Sequence, residues 1–351
     1  MNSKASNAVM TRARAKYGNR LKNEDYVSLA GLSSLREIVG FMRSNAIFAP
    51  YFEKLASDSS LSRAKLENAV KSAFLAEASR LCGFEKSVGE PMMKYIMLDR
   101  ETELILDYII NLSLGTPEKM LLESIPVFNS GTKIDFNKLF QINDAVSLSK
   151  YLLKTHYFKL ASVLPKNDDG VFDISLIEAI LSRIKYKMVF NEINNDFPSE
   201  TAKILTRSIL MRIELTDLSM IYRAKKYYNL SENYIRTNMV GYRCMLTAKN
   251  SEQILAAENA EEVLRIFSKT SYASKIKKYG IDDLSLFTKK AVIETEIKQL
   301  HFSAEPAVVL SAYLRFFENE CENITRIIEG ISYQVPKEEI LANLIISEKG
   351  A

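Results

Sequence analysis

Histidine and cysteine, which titrate near neutral pH and often carry out acid–base or nucleophilic chemistry, are scarce in this sequence. The histidines are His156 and His301, and the cysteines are Cys82, Cys244 and Cys321. A Ser-His-Asp or Cys-His arrangement would have to use one of the two histidines, and no G-x-S-x-G motif accompanies either. The cysteines lie far apart without metal-ligand spacing, which predicts reduced, buried thiols in a reducing compartment. An enzyme of unfamiliar type that uses His156 or His301 stays an alternative.

Glycine-rich loops that cradle phosphate groups are also absent from the sequence. Neither G-x-x-x-x-G-K-[ST] nor G-x-G-x-x-G occurs, and the whole chain holds only 12 glycines. We therefore predict a protein without a catalytic residue, a bound cofactor or a metal site.

The most informative polar feature is an acidic residue that recurs at Glu103, Asp217 and Glu322, at spacings of 114 and 105 residues. Three carboxylates so far apart could share a ligand only if three units converged on an axis. The alternatives are contact with a partner and pairing with a basic or amide group at a unit boundary. We favour pairing, because an internal pair would be inherited with a duplication. Asn323 follows the third acid and is a further candidate for such a contact.

A basic and aromatic segment, Tyr-Arg-Ala-Lys-Lys-Tyr-Tyr, occupies positions 222–228 and resembles a small nucleic-acid-binding stripe. On a helix, however, Tyr222 and Lys226 share one face while Arg223 and Tyr227 share another, so no single basic face results. The balance of 47 basic against 43 acidic residues gives no general argument for nucleic acid either. We predict no nucleic-acid partner and keep Arg223 as a candidate for a contact with a protein partner or between units.

The elements that must position these residues recur three times along the chain. Residues 99–121, 213–235 and 318–340 align without gaps, and each copy reads as a helix, a break and a new helix opened at Pro117, Ser231 or Pro336. The repeat predicts three helical units, at 1–132, 133–247 and 248–351. The earlier half of each unit carries apolar residues at i, i+3 and i+4, on one helix face. These are Ile38, Phe41 and Met42; Leu148, Tyr151 and Leu152; and Val263, Ile266 and Phe267.

The composition indicates an all-α protein. Of 351 residues, 47% are hydrophobic and 26% are charged, which is typical of soluble globular proteins. With 12 glycines and 8 prolines there is little material for hairpins. No apolar run approaches the roughly 18 residues that cross a bilayer, and the N-terminus has no signal-peptide pattern, so we expect a cytoplasmic protein without a direct membrane span. Three similar units either stack in an open arc or close about a pseudo-threefold axis, which would leave a funnel with a central socket.

The end of the chain resembles a known family. Residues 317–330, Phe-Glu-Asn-Glu-Cys-Glu-Asn-Ile-Thr-Arg-Ile-Ile-Glu-Gly, are followed by Val335-Pro336 and Glu338-Glu339-Ile340. This segment is similar to the closing signature of the C subunit family of the V-type/A-type ATP synthases (ATPases), whose vacuolar ATPase counterpart is the d subunit. The segments 12–16 and 23–29 resemble the N-terminus of that family. The resemblance extends, in order, over nearly the whole chain.

The resemblance implies a noncatalytic subunit of the central rotor. The family forms an all-helical, three-lobed funnel on the cytoplasmic side of the membrane-embedded proteolipid ring, and its socket takes the foot of the central stalk. The implied partners are therefore the D and F subunits of the central stalk and the proteolipid ring. The implied role is to transmit torque and so couple ATP synthesis or hydrolysis to the transport of H+ or Na+. The alternative is a helical-repeat scaffold or adaptor unrelated to rotary ATPases.

Overall fold

A computed structural model of the chain describes residues 3–116, 134–166, 170–281 and 284–346. Over these ranges all regular secondary structure is helical, which confirms the predicted all-α class. The helix expected to open at Pro117 lies outside the described residues. In the described ranges, no helix combines the length and the apolar character that crossing a membrane requires.

The helices differ widely in length, from single turns to stretches of 28 residues. Short 3-10 turns lie at Glu53–Leu55 and Phe158–Ser162, and a π-helical turn lies at Ala224–Tyr228. The α-helices are α1 (Ser3–Gly18), α2 (Asn23–Ala30), α3 (Leu35–Met42), α4 (Ala49–Phe52), α5 (Arg63–Cys82), α6 (Lys86–Ser113), α7 (Phe136–Leu139), α8 (Ala145–Leu152), α9 (Ile174–Asp196), α10 (Ser199–Arg223), α11 (Glu232–Asn238), α12 (Ala248–Ala256), α13 (Ala260–Phe267), α14 (Ala273–Tyr279), α15 (Leu284–Phe302), α16 (Pro306–Ser332) and α17 (Lys337–Ala342).

The helices α3, α8 and α13, which carry the repeated apolar face, begin and end in the same way. Each is preceded by a capping side chain that accepts a hydrogen bond from the backbone N–H three residues further on. These caps are Ser34, Asp144 and Asn259. After each helix a second side-chain oxygen accepts from the N–H two residues on, which closes a turn. These turn residues are Asn45, Thr155 and Thr270. The repeat detected in the sequence therefore includes the residues that start and stop these helices.

The long helices of the three copies also end in a common backbone turn. Gly115, Asn229 and Gln334 occupy the same repeat position, and their φ angles are 68°, 48° and 57°. In the first and third copies the next N–H bonds to the carbonyl five residues back, at 2.9 Å and 2.8 Å, as in a Schellman turn. In the second copy Leu230 donates to the carbonyl of Ala224, six residues back, because the preceding turn is π-helical.

The helices form two compact units, one of residues 1–93 with 293–351 and the other of residues 94–292. In the first unit α16 packs against α1, α2, α3 and α5. The division at 1–132, 133–247 and 248–351 and the arrangement about an axis stay predictions.

Among the described residues of the second unit, two hydrophobic clusters each surround the end of a long helix. Residues 104–112 of α6 pack with apolar residues between positions 134 and 184. Residues 211–224, at the end of α10, pack with apolar residues between positions 235 and 291. Each long helix thus packs against the first half of another copy. Helix α6 packs against the second copy, α10 against the third copy and α16 against the first copy.

Polar contacts fix α1 in the first unit. The guanidinium of Arg14 donates to the carbonyl oxygens of Leu300 and Ser303, at 2.8 Å and 2.7 Å, at the C-terminus of α15. Those carbonyls have no intrahelical partner, and the negative end of the helix dipole favours a cation there. Lys16 lies 2.9 Å from Glu77, whose side chain is 1% exposed. Two basic residues of α1, Arg14 and Lys16, are therefore bonded within the fold.

Two helical glycines give a matched test of this packing. A Cβ on Gly89 in α6 would lie 1.8 Å from the carbonyl oxygen of Cys82, whereas a Cβ on Gly40 in α3 would meet nothing within 4 Å. We expect Gly89→Ala to lower the free energy of unfolding by about 1–3 kcal/mol, because the backbones of α5 and α6 must move apart. Gly40→Ala should raise it by about 0.5–1 kcal/mol, the gain in helix propensity. Denaturant titration of both variants measures the difference, and equal effects would contradict this close approach.

Candidate functional site

The acidic residues at Glu103 and Glu322 lie in similar, half-exposed surroundings. Glu103 lies 2.6 Å from Arg100 on α6, and Glu322 lies 2.6 Å from Arg326 on α16. Their side chains are 50% and 53% exposed. Each acid therefore pairs with a base, but with a base on its own helix. Such exposed pairs contribute roughly 0–1 kcal/mol, so the fold does not depend on them.

Asp217, the second acid of the column, is buried in α10 with 5% of its surface exposed. Its carboxylate accepts hydrogen bonds from the backbone N–H groups of Val240 and Gly241, at 2.9 Å and 2.7 Å. Burial raises the pKa of Asp217 to about 6, against the opposing effect of these two bonds and of Arg183. Asp217 thus fixes the segment that follows α11 onto α10.

Glu214 lies one turn before Asp217 and is 3% exposed. It accepts from the backbone N–H groups of Cys244, Met245 and Leu246, at 2.7 Å, 2.9 Å and 3.0 Å. The hydroxyl of Tyr272 also donates to it, at 2.7 Å, and burial together with this carboxylate raises the pKa of Tyr272. Two carboxylates of one helix therefore hold residues 240–246, and one of them also holds the start of α14.

A cavity of about 180 Å³ lies beside these carboxylates, lined by residues of α9, α10, α11, α12 and the segment 239–246. Arg183 donates to the carbonyl oxygens of Met239 and Thr237, the first at 3.0 Å from Nε and the second at 2.7 Å. Arg236 contacts both Glu232 and Glu252, at 2.8 Å and 2.7 Å. These carboxylates and guanidinium groups are thus bonded to the backbone or to one another, and the arrangement holds a segment in place.

Sequence reasoning found Asp217 but missed three other buried acids. Glu101 and Glu320 share a repeat position two residues before Glu103 and Glu322, while Glu214 stands one residue earlier in its copy. All three have 4% or less of their surface exposed. The hydroxyl of Tyr157 donates to Glu101 at 2.7 Å, as Tyr272 donates to Glu214. The signal was present in the Thr-x-Tyr ends at 155–157 and 270–272, because a fully buried tyrosine needs an acceptor.

The first copy has Ile47 where the others have this tyrosine, so Glu320 needs other donors. It accepts from the backbone N–H of Leu21 at 2.8 Å and from the hydroxyl of Tyr26. Burial raises the pKa of Glu320 to about 8, with Asp25 adding to the rise, while these two bonds and Arg20 oppose it. The carboxyl group is therefore mostly protonated at neutral pH.

Asn323 is fully buried in α16 and binds a segment beyond α17. Its amide nitrogen donates to the carbonyl of Ile345 at 2.8 Å, and its amide oxygen accepts from the N–H of Ile345 at 3.1 Å. The amide nitrogen of Asn319 donates to the same carbonyl at 2.9 Å. This contact lies within the first unit, and a role of Asn323 toward a partner stays a prediction.

The remaining candidates lie at or near the surface. Arg223 is exposed at the end of α10, immediately before the π-helical turn. His156 is exposed, and the ring of His301 contacts Tyr17 edge to face at 5.1 Å. Within the described residues, no group of three or more His, Cys, Asp or Glu side chains is placed to hold a metal ion.

Asp217→Asn tests the role of the buried carboxylate. The amide nitrogen that replaces one oxygen would face a backbone N–H of residue 240 or 241 and leave that donor unmatched. We expect the free energy of unfolding to fall by about 1–3 kcal/mol and the amides of residues 240 and 241 to exchange with solvent faster. Glu103→Gln, at the half-exposed position of the same column, should change it by less than about 0.5 kcal/mol. Unchanged hydrogen exchange in Asp217→Asn would contradict this assignment.

Glu320 makes the stability of the protein depend on pH. Its pKa is about 8 in the folded chain against 4.5 as the ordinary value, so the folded state holds a proton that the unfolded state releases between these values. The stability that this proton adds to the folded state is fully present below about pH 4.5 and is lost as the pH rises through 8. Each unit by which folding raises the pKa adds at most about 1.4 kcal/mol to the free energy of unfolding. Glu320→Gln mimics the protonated form and should flatten the fall in melting temperature from pH 5 to 8. Parallel curves of melting temperature against pH for the wild type and Glu320→Gln would contradict this role of Glu320.

Comparison with known proteins identifies the family. The sequence pattern of the ATP synthase (C/AC39) subunit family matches residues 9–343, nearly the whole chain. A direct search among curated proteins found no match. The match covers both the opening and the closing segments that carried the resemblance in the sequence, and it confirms that resemblance. The chain therefore belongs to the ATP synthase (C/AC39) subunit family and is a subunit of a V/A-type rotary ATPase.

Proposed function

We propose that this chain is the noncatalytic central-rotor subunit that links the central stalk to the membrane proteolipid ring. In this role it binds the D and F subunits of the stalk on one side and the ring on the other. It transmits torque between them and so couples ATP synthesis or hydrolysis to the transport of H+ or Na+. The observation that carries the proposal is the family match over residues 9–343.

The way the fold uses its ionisable groups supports a mechanical role. A part that transmits torque has to resist deformation between its two contact surfaces. Asp217 and Glu214 together accept hydrogen bonds from five backbone N–H groups between residues 240 and 246. Asn323 binds both the N–H and the carbonyl group of Ile345. Buried polar networks of this kind rigidify a fold when every member is satisfied. The same groups are thereby occupied by hydrogen bonds within the chain.

The proposed place of the chain is on the cytoplasmic side of the membrane, peripheral to it and held there through the rotary complex. A coupling that withstands load needs two specific interfaces, each above the roughly 1,000 Å² that separates specific contacts from incidental ones. The exposed faces of the long helices offer side chains of both signs, such as Glu103, Arg223 and Glu322, for such contacts.

The test is removal and return of the chain in the purified complex. Without it, ATP hydrolysis by the soluble head should continue while ion transport stops, because the head no longer turns the ring. Adding back the wild-type chain should restore both coupled transport and the joint purification of stalk and ring. Full ion transport in a complex that lacks the chain would overturn the proposal.

A charge reversal tests the acid column within this function. Glu322→Lys would place an ammonium group beside Arg326, which also donates to the buried Asn323 at 3.1 Å. We expect it to weaken assembly, or to destabilise the fold by about 0.5–1 kcal/mol, because an exposed ion pair is lost and two cations then face each other. Lys54→Glu changes an exposed residue of a short 3-10 turn and should be tolerated. Assembly yield and melting temperature distinguish the two, and equal tolerance would argue against a special role for the column.

A further inference from the structure

The π-helical turn after α10 presents two neighbouring tyrosines to solvent. Tyr227 and Tyr228 are 62% and 70% exposed, and their ring centroids lie 6.4 Å apart. The ammonium of Lys226 lies 5.2 Å from the ring centroids of both Tyr222 and Tyr227. We call residues 223–228 the tyrosine turn. Exposed aromatic side chains grouped in this way are unusual on a surface that meets only water.

The tyrosine turn carries positive charge that the described part of the chain does not neutralise. Arg223, Lys225 and Lys226 lie in it, and no ion pair with an acid is found for them among the described residues. Glu262, whose pKa is lowered by a backbone hydrogen bond, by Arg265 and to a smaller extent by Lys225, is bonded to Arg265 at 2.9 Å. By contrast, Arg236 in the next helix, α11, forms ion pairs with two acids.

The other two copies provide an internal comparison for this turn. The position before the left-handed residue is exposed and bulky in every copy, with Leu114 at 69%, Tyr228 at 70% and Tyr333 at 67%. In the third copy, Arg63 donates to the hydroxyl of Tyr333 at 3.0 Å, so that tyrosine has a cation within its own unit. The fold therefore forms this turn with different side chains in each copy.

The cations of the tyrosine turn are specific to the second copy. The positions of Arg223, Lys225 and Lys226 hold Ile109, Asn111 and Leu112 in the first copy and Ile328, Gly330 and Ile331 in the third. The backbone turn forms in all three, so it does not require positive charge. The charge is thus available for something outside the chain.

The residue types indicate a protein partner with negative charge. Tyrosine and arginine are the types enriched at the centres of protein interfaces, where an aromatic ring adds contact area at little cost in conformational entropy. A lipid surface selects leucine and phenylalanine with a broad basic face, and single-stranded nucleic acid selects a continuous basic groove. Here Lys226 lies over the rings of both Tyr222 and Tyr227, which gives a compact cluster of one cation with two rings rather than a broad basic face or a continuous basic groove.

We propose that the tyrosine turn, residues 223–228, docks an acidic segment of a neighbouring subunit of the rotary complex. The inference rests on the proposed function for the existence of that complex. It adds the place on this chain and the chemistry of the partner: carboxylates opposite Arg223 and Lys225, and a surface that packs against the rings of Tyr227 and Tyr228.

Site-specific photocrosslinking in the assembled complex tests the proposal. Benzoylphenylalanine in place of Tyr228 keeps an aromatic ring at the exposed position, and mass spectrometry of the adduct identifies what lies against it. We expect an adduct with an Asp- and Glu-rich segment of another subunit. An adduct with lipid, nucleic acid or a segment without acidic residues would overturn the proposal, as would the absence of an adduct. Phe302, 78% exposed on α15, is the control position, and the same adduct from it would also overturn the assignment.

Affinity gives a second, independent measurement. Arg223→Glu with Lys225→Glu, and separately Tyr227→Ala with Tyr228→Ala, should lower binding to the complex by about tenfold or more. The melting temperature should change little, because Arg223 and both tyrosines are exposed and Lys225 is only half-buried. Lys54→Glu serves as the charge control. If the wild-type chain binds and both double variants bind equally well, the docking proposal fails alone. If the wild-type chain does not enter the complex, the proposed function fails as well.

Discussion

The fold depends on one constraint, that a carboxylate removed from water must be matched by donors. Burying an unmatched charge is costly, and here each buried acid of the long helices has found N–H or O–H groups in another element. Glu214 alone joins α10 to a loop and to the start of α14. Because these donors are mostly backbone groups, the acids set the path of the chain as well as its stability. The hydrophobic clusters pack against the same long helices that carry these acids.

The packing follows from the same arrangement. Each long helix contributes an apolar face and one or two acids, and the first half of another copy contributes the short capped helix and its terminal tyrosine or a substitute. Where the first copy has Ile47 instead of the tyrosine, Leu21 and Tyr26 donate to the acid Glu320. The copies could therefore diverge in sequence while the pairing of acid and donor persisted.

The sequence was sufficient for the helical class, the family and the local repeat, because periodic apolar positions and capping residues act over a few neighbours. It predicted the short helix after Ser231, and α11 begins there. It grouped Glu103 and Glu322 with Asp217 because they share a repeat position, but the structure shows that they do not share its burial. Burial depends on which helix packs against which, and that packing pairs residues from different copies. The donors to Glu214 lie about 30 residues away in a loop without a motif, and periodicity says nothing about them.

The packing of α16 against α1 and α5 has a consequence for biosynthesis. Residues 94–292 emerge from the ribosome as a continuous stretch and contain both partners of each of their hydrophobic clusters. The first unit needs residues from both ends of the chain, so its amino-terminal helices are made early and complete their core only when α16 has been translated. Until then the apolar surface that α16 covers in the folded unit is exposed, and exposed apolar surface of this kind makes nascent chains prone to aggregate and dependent on chaperones.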